Sequence, residues 1–280
     1  RSWKNSKPRA MSMPTATSEP TMRELLAQLE ARYAWQSLVV DGHEWRWLDT
    51  QASGPATVLL PGSVGDGAMF VRTLLSLGER LRLIAVTYPA LADPMRLADG
   101  LAAVVKHLGL PPGRVVSSSF SAYWLQFYGL RHPQNVTSLV LGNGFVDGSD
   151  LAANPMFDRS FVEGISAQDL HAEWLSRVQA APVAPLQQLQ AIMLAERQSP
   201  ENLHARFLGV VRSQVCPALP LPDSNITVLD CDDDPLIPPQ VRERLRRQYP
   251  GARHVSLPTG GHYPHVLNPQ MYEALLTDPT

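Results

Sequence analysis

Short runs of β-branched and leucine side chains alternate with stretches of helical period along this chain, and that alternation restricts the fold more than any other feature. Thr57–Leu60, Arg82–Thr87, Arg114–Val116 and Ser138–Leu141 read as strands, with helical patterns at Ala68–Leu77, at Arg96–Leu108 and after Ser121 between them. Strands joined through helices must run in the same direction, so such units build a mainly parallel sheet flanked by helices, an α/β architecture. Ahead of them, Leu38–Val40 and Glu44–Leu48 flank Asp41-Gly42. That is a hairpin signal and predicts two antiparallel strands leading the sheet, preceded by a short amphipathic helix over Met22–Tyr33.

The alternation stops near Gly148 and resumes near Ile226. In between, Leu170, Trp174, Val178, Leu186, Leu189, Ile192, Met193, Leu203, Phe207 and Val211 recur at helical spacing with no strand pattern, and Pro182, Pro185 and Pro200 divide the stretch into several helices. The expected organisation is therefore a core over residues 22–148 and 225–280 with an inserted helical cap over 149–224. Most of the apolar stripe is expected to be packing, with about a quarter facing a pocket. Residues 1–21, rich in Pro, Ser and Thr, are expected to form a mobile tail, and Arg1–Ala10, ahead of Met11, to be partly vector-derived.

The chemistry-bearing residues fall just past predicted strand ends. Ser117-Ser118-Ser119-Phe120-Ser121 lies where the strand ending at Val116 breaks into the helical run through Tyr123, Trp124, Phe127 and Tyr128. This reads as a nucleophile elbow with Ser119 at its tip, although the usual G-x-S-x-G pattern has serine at both glycine positions. Taken alone, the stretch also fits a serine-rich loop at a strand end. Two later loops supply context. The strand over Ile226, Val228 and Leu229 runs into Asp230-Cys231-Asp232-Asp233-Asp234-Pro235, and His254–Leu257 breaks at Thr259-Gly260-Gly261 and delivers His262. Open α/β sheets bind ligands outside the carboxyl ends of their strands, where loops carrying Ser119, Asp234 and His262 converge.

This order of Ser, Asp and His resembles the α/β-hydrolase fold family, over nearly the whole chain from about Ser37 to about Leu276. Thr57-Val58-Leu59-Leu60-Pro61-Gly62-Ser63 is similar to the family's strand and second oxyanion loop, with Pro61 where His often stands. Asp232–Pro238 looks like its acid loop, with Cys231 replacing the usual glycine at the loop's head, and Gly260-Gly261-His262 looks like its histidine loop. Within the family, Leu139–Phe145 and Thr259-Gly260-Gly261 are most similar to maspardin-like proteins.

The resemblance implies a division of labour. A neutral serine hydroxyl is a poor nucleophile, so Ser119 needs a base, His262, whose tautomer and developing charge need a carboxylate. Asp234 is the family-aligned acid, Asp233 the fallback, and Asp147, after the strand ending near Gly142, a third candidate. The backbone N–H groups of Phe120 and Ser63 are the expected oxyanion donors, each worth roughly 3–4 kcal/mol in the transition state.

Other features point to less. His265, three positions after His262, reads either as a second proton carrier or, more simply, as a surface or capping residue. Asp232, Asp233 and Asp234 resemble a hard-cation cluster but lack a second acidic group, so no metal is expected. Gly62, Gly65 and Gly67 lack P-loop or dinucleotide spacing, so no nucleotide cofactor is expected. Cys216 and Cys231 are too few for a disulfide framework and are expected to be free thiols. A formal net charge of −2 gives no electrostatic case for nucleic acid or an anionic membrane. With no long apolar run and no apolar signal core in Arg1–Glu19, a cytoplasmic location is the default expectation. Three readings follow: a serine hydrolase or acyl-transferring enzyme acting on a small to medium ester, thioester or lactone; a lyase expelling a small carboxylate such as acetate; and a hydrolase-fold binding protein without catalysis.

Overall fold

The computed structural model describes residues 19–278, so the predicted tail lies outside the described residues as far as residue 18. Thr21 opens helix α1 (Met22–Arg32) as part of a capping box: its hydroxyl accepts the Glu24 N–H, and the Glu24 carboxylate accepts the Thr21 N–H. Strands β1 (Trp35–Val40) and β2 (His43–Asp49) then pair antiparallel around Asp41 and Gly42. Both turn residues have positive φ, +49° and +78°, which matches the right-handed twist of the strands they join.

Beyond the hairpin, strand and helix alternate. The order is β3 (Thr57–Leu60), a 3₁₀ turn at Gly67–Phe70 leading into α2 (Val71–Leu77), β4 (Leu83–Thr87), α3 (Pro94–His107), β5 (Gly113–Ser118), α4 (Phe120–Arg131) and β6 (Val136–Gly142). The inserted segment contributes α5 (Arg159–Gly164), α6 (Ala167–Ala180), α7 (Pro185–Ile192) and α8 (Pro200–Val211), with one π turn at Met193–Arg197. The chain closes with β7 (Ile226–Cys231), α9 (Pro239–Gln248), β8 (Arg253–Leu257), α10 (Pro264–Leu267) and α11 (Pro269–Thr277). Pro185 and Pro200 stand at helix N-termini, where the missing N–H costs no hydrogen bond.

The eight strands form one sheet in the order β1-β2-β4-β3-β5-β6-β7-β8, with β2 antiparallel to its neighbours and all pairings from β4 to β8 parallel. The central strands are buried on both faces. Val58, Leu60, Val115, Leu139 and Leu141 point into one core with α3, α4 and most of the inserted helices, while Leu59, Val116, Val140 and Leu229 point into the other with α1, α2, α10 and α11. In the inserted segment, Leu170, Val178, Leu189, Met193, Leu203, Phe207 and Val211 are all buried, and the Phe157 and Phe207 rings stack with centroids 5.1 Å apart. Among the described residues, no helix is long and apolar enough to cross a membrane.

The predicted strand Arg114–Val116 is longer at both ends, since Ser117 and Ser118 continue it into the core. Polar side chains hid this extension, but the Ser117 hydroxyl is satisfied by the Val140 carbonyl on β6 at 2.7 Å. The same two strands approach so closely that a Cβ on Gly142 would lie 2.5 Å from the Ser117 carbonyl oxygen. Gly142→Ala should therefore lower stability by about 2 kcal/mol or more in urea unfolding. Gly164→Ala, whose added methyl meets nothing within 4 Å, should stay within about 1 kcal/mol of the parent. Equal effects would mean that the β5–β6 contact is looser than described.

Candidate active site

Ser119 sits between the last residue of β5 and the first of α4 with φ +56° and ψ −116°, a conformation that costs an L residue energy and persists only where its surroundings enforce it. Three contacts do so. The Ser119 N–H donates to the Gly142 carbonyl at 2.8 Å, its carbonyl accepts the Ala122 N–H, and Gly62 lies close enough that a Cβ there would approach Ser119 Cβ to 3.2 Å. The flanking serines have negative φ, so glycine is not required at either position. Ser121 takes on a tethering role: its hydroxyl lies 2.9 Å from both the Leu60 and Ser118 carbonyls and accepts the Ser118 N–H, which ties α4 to β3.

Burial singles out two residues: throughout residues 115–129 Ser119 alone is not buried, and throughout 58–71 Ser63 alone is not. Among the described residues, the Ser119 hydroxyl and His262 Nε2 have no hydrogen-bond partner, and no bond joins them to each other. Both are thus free to meet a ligand. The N–H of Phe120 opens α4, where the helix dipole favours negative charge, and the N–H of Ser63 follows Gly62 in the neighbouring loop.

Asp234 and His262 are brought together. His262 Nδ1 and Asp234 Oδ2 are 2.8 Å apart, and since a carboxylate only accepts, the imidazole carries its proton on Nδ1 and presents Nε2 as an acceptor. The Asp234 carboxylate is wholly enclosed and fully satisfied: Oδ2 also accepts the Asn143 side-chain N–H at 2.8 Å, and Oδ1 accepts the N–H groups of Leu236 and Ile237. Burial pushes its pKa up, but the facing His262 imidazole and these hydrogen bonds outweigh burial and hold it below the ordinary aspartate value.

The other acidic candidates are engaged elsewhere. Asp233 accepts the N–H groups of Gly261 at 2.8 Å and Gly260 at 3.4 Å, shaping a loop in which both glycines have positive φ. Asp147 caps the turn at Gly148–Asp150 and is bound by Arg244 at 2.6 Å, which draws its pKa down to about 2. Asp232 is exposed and pairs with Arg242. Among the described residues, no group of three or more His, Cys, Asp or Glu side chains is arranged to hold a metal.

Asn143 went unnoticed in the sequence as a site residue. Its side-chain N–H reaches both Asp234 and the Gly261 carbonyl, and its own backbone has φ +49°, a value asparagine tolerates better than most residues. The Asn-Gly pair directly after a strand was the available signal. His265 corrects a second expectation. It is not at the surface but buried among Phe70, Tyr263 and Tyr272, and both of its ring nitrogens lack protein partners. Burial, with a smaller push from His262, lowers its pKa to about 3, so it stays neutral. Cys216 and Cys231 are free thiols, each raised to about 12 by burial.

A family model described as "Alpha/beta hydrolase family" matches residues 57–275. Human maspardin is 24% identical over 246 residues, covering 82% of this chain and 78% of that protein. The putative carbamate hydrolase RutD of Escherichia coli O103:H2 is 24% identical over 245 residues, covering 80% of this chain and 91% of that protein. A solved thermophilic esterase from Thermogutta terrifontis superimposes with a TM-score of 0.70 at 21% identity, over 86% of this chain and 96% of that one.

A carboxyl held below its ordinary value in the folded state adds stability above that ordinary value, and the contribution is lost as pH falls through the folded-state value. The stability difference between the parent and Asp234→Asn should therefore be largest above 3.8, the ordinary aspartate value, and shrink as the medium is acidified from there down through the folded-state value. Chemical denaturation across that range measures it. A difference independent of pH would mean that Asp234 is not held down by its partners.

Proposed function

The chain belongs to the alpha/beta hydrolase family, and from that premise we propose that it is a serine hydrolase acting on a small to medium ester, thioester or lactone, with Ser119, His262 and Asp234 as its triad. The observation that carries this reading is Ser119 itself. A strained, positive-φ serine stands as the one opening in an otherwise buried strand-to-helix junction, and the residue after the carbonyl that holds its N–H, Asn143, also holds the Asp234–His262 pair. Strain of this kind is retained where it serves a purpose.

The chemistry follows from the geometry. As Ser119 Oγ attacks a substrate carbonyl carbon, His262 Nε2 takes the hydroxyl proton, and Asp234 holds Nδ1–H and stabilises the imidazolium. The substrate oxygen becomes negative and is met by the N–H groups of Phe120 and Ser63. Collapse of this adduct expels the alcohol or thiol, which receives the proton from His262. Water then attacks the acyl-serine by the same route in reverse, releasing the acid and restoring Ser119. Support also comes from the relative named a putative carbamate hydrolase and from the fold shared with a solved esterase.

Incubation with a fluorophosphonate followed by intact-mass and peptide analysis should show one adduct, on Ser119. Ser119→Ala should abolish labelling and reduce hydrolysis of an activated ester by at least about a thousandfold with folding intact. An unlabelled parent protein would point instead to a binding role or to the lyase chemistry.

Asp234→Asn should cut turnover far more than Asp233→Asn, because only the first removes the carboxylate from the imidazole. Hydrolysis in heavy-oxygen water should place label in the released acid, as water attack on an acyl-enzyme requires. Unlabelled acid appearing together with a new alkene would establish elimination.

A further inference from the structure

Arg206 is the most deeply enclosed charged side chain among the described residues. It lies on α8, is fully buried, and among the described residues has no carboxylate within ion-pair distance. The nearby Asp66 is taken by Arg197 at 2.9 Å. Burial lowers the Arg206 pKa from its ordinary value. Enclosing a guanidinium without a carboxylate is unfavourable unless its N–H groups are met by other acceptors. Here the acceptors that meet Nη1 and Nη2 are all backbone carbonyls, while Nε has no partner among the described residues. Nη1 donates to Gly62 at 2.8 Å and Gly65 at 2.7 Å, Nη2 donates to Tyr88 at 3.1 Å, and the guanidinium lies 3.9 Å above the Tyr88 ring. The Tyr88 hydroxyl reaches the same loop, its one hydrogen shared between the Pro61 carbonyl at 2.9 Å and the Gly62 carbonyl at 2.7 Å.

The Gly62 carbonyl belongs to the same peptide unit as the Ser63 N–H. In a trans peptide the C=O and N–H point in opposite directions, so fixing one fixes the other. A cation on the carbonyl oxygen also polarises that peptide and strengthens its N–H as a donor. One turn further along α8, Gly209 seats the Phe120 ring: a Cβ there would lie 2.4 Å from Phe120 Cζ. One helix of the inserted segment therefore touches both proposed oxyanion donors, Phe120 through Gly209 and Ser63 through Arg206, whose Nη1 lies 3.4 Å from the Ser63 carbonyl.

We propose that Arg206 is a positioning residue for the oxyanion site: by holding the Gly62 carbonyl it aims the Ser63 N–H at the substrate oxygen, and α8 thereby makes the inserted helices part of the catalytic apparatus. The proposal rests on the reading of Ser119 as nucleophile and Ser63 as donor. Gln198 assists, donating to the Ser63 carbonyl at 2.8 Å and accepting the Gly65 N–H at 2.7 Å.

The test compares the parent, Arg206→Met, Arg206→Lys and Arg212→Met, the last removing an exposed arginine at the end of α8 that pairs with Glu163. Turnover of p-nitrophenyl acetate is divided by the fraction of sites that a fluorophosphonate titrates, so that loss of folded protein does not count as loss of catalysis. Arg206→Met should reduce kcat per titrated site by about a hundredfold, the scale of one oxyanion donor, with KM changed by no more than about threefold. Arg206→Lys, which keeps a charged donor but not the fork, should recover part of the loss and still fall about tenfold short. Arg212→Met should match the parent. If Arg206→Met does not fold, Arg206→Lys carries the test, and a parent-like kcat in that variant overturns the proposal. A labelled parent with an unaffected Arg206→Met overturns the proposal alone. A parent that resists the probe overturns the nucleophile reading, and the proposal with it.

Discussion

The close approach of β3, β5 and β6 at their carboxyl ends is the constraint on which the site depends. Positive φ at a serine costs of order 1–3 kcal/mol, and here a few specific contacts enforce it. The Gly142 carbonyl receives the Ser119 N–H, Ser121 ties the first turn of α4 to Leu60 on β3, and Gly62 and Gly142 leave room that any side chain would fill. Gly142 ends β6 and Leu60 ends β3, both parallel strands at the centre of the sheet, so the elbow cannot relax without disturbing that centre.

Past that approach, the end of β6 becomes a junction. Gly142 faces the serine, while Asn143, the next residue, turns its side chain to Asp234 and Gly261. Two consecutive residues therefore connect three loops that are far apart in sequence. Asp233 adds a further tie by receiving the Gly260 and Gly261 N–H groups, so the acid loop fixes the histidine loop through its backbone as well as through the Asp234–His262 bond. A carboxylate with four N–H donors stays ionised despite its enclosure, which keeps it ready to oppose charge on the imidazole.

Much of this arrangement was legible in the sequence because it follows from periodicity and chain order. Alternating strand and helix patterns gave the parallel sheet, Asp41-Gly42 gave the hairpin, and the polar residues after Val116, Cys231 and Thr259 gave the three loops. What stayed hidden depends on contacts between distant elements. Ser117 and Ser118 look like loop residues until the Val140 carbonyl and Ser121 hydroxyl are there to satisfy them. Asn143 looks like an ordinary turn residue, and Arg206 like the polar face of an amphipathic helix. Only the fold reveals that the arginine faces inward, onto carbonyls contributed by residues more than a hundred positions earlier.

His262 and His265 show why residue type and spacing cannot assign such roles. They lie three positions apart on one loop and helix start, yet their surroundings differ completely. His262 has a carboxylate on Nδ1, which fixes its tautomer and compensates the charge it would acquire on taking a proton. His265 faces Phe70, Tyr263 and Tyr272, with no carboxylate to offset a proton, and burial holds it neutral far below the range in which an ordinary imidazole titrates. Proton transfer at neutral pH requires a base whose protonated form is tolerated by its environment. In this fold the first of the two histidines, just past the end of β8, has a carboxylate partner and the second has none, because the acid loop of β7 reaches only the first.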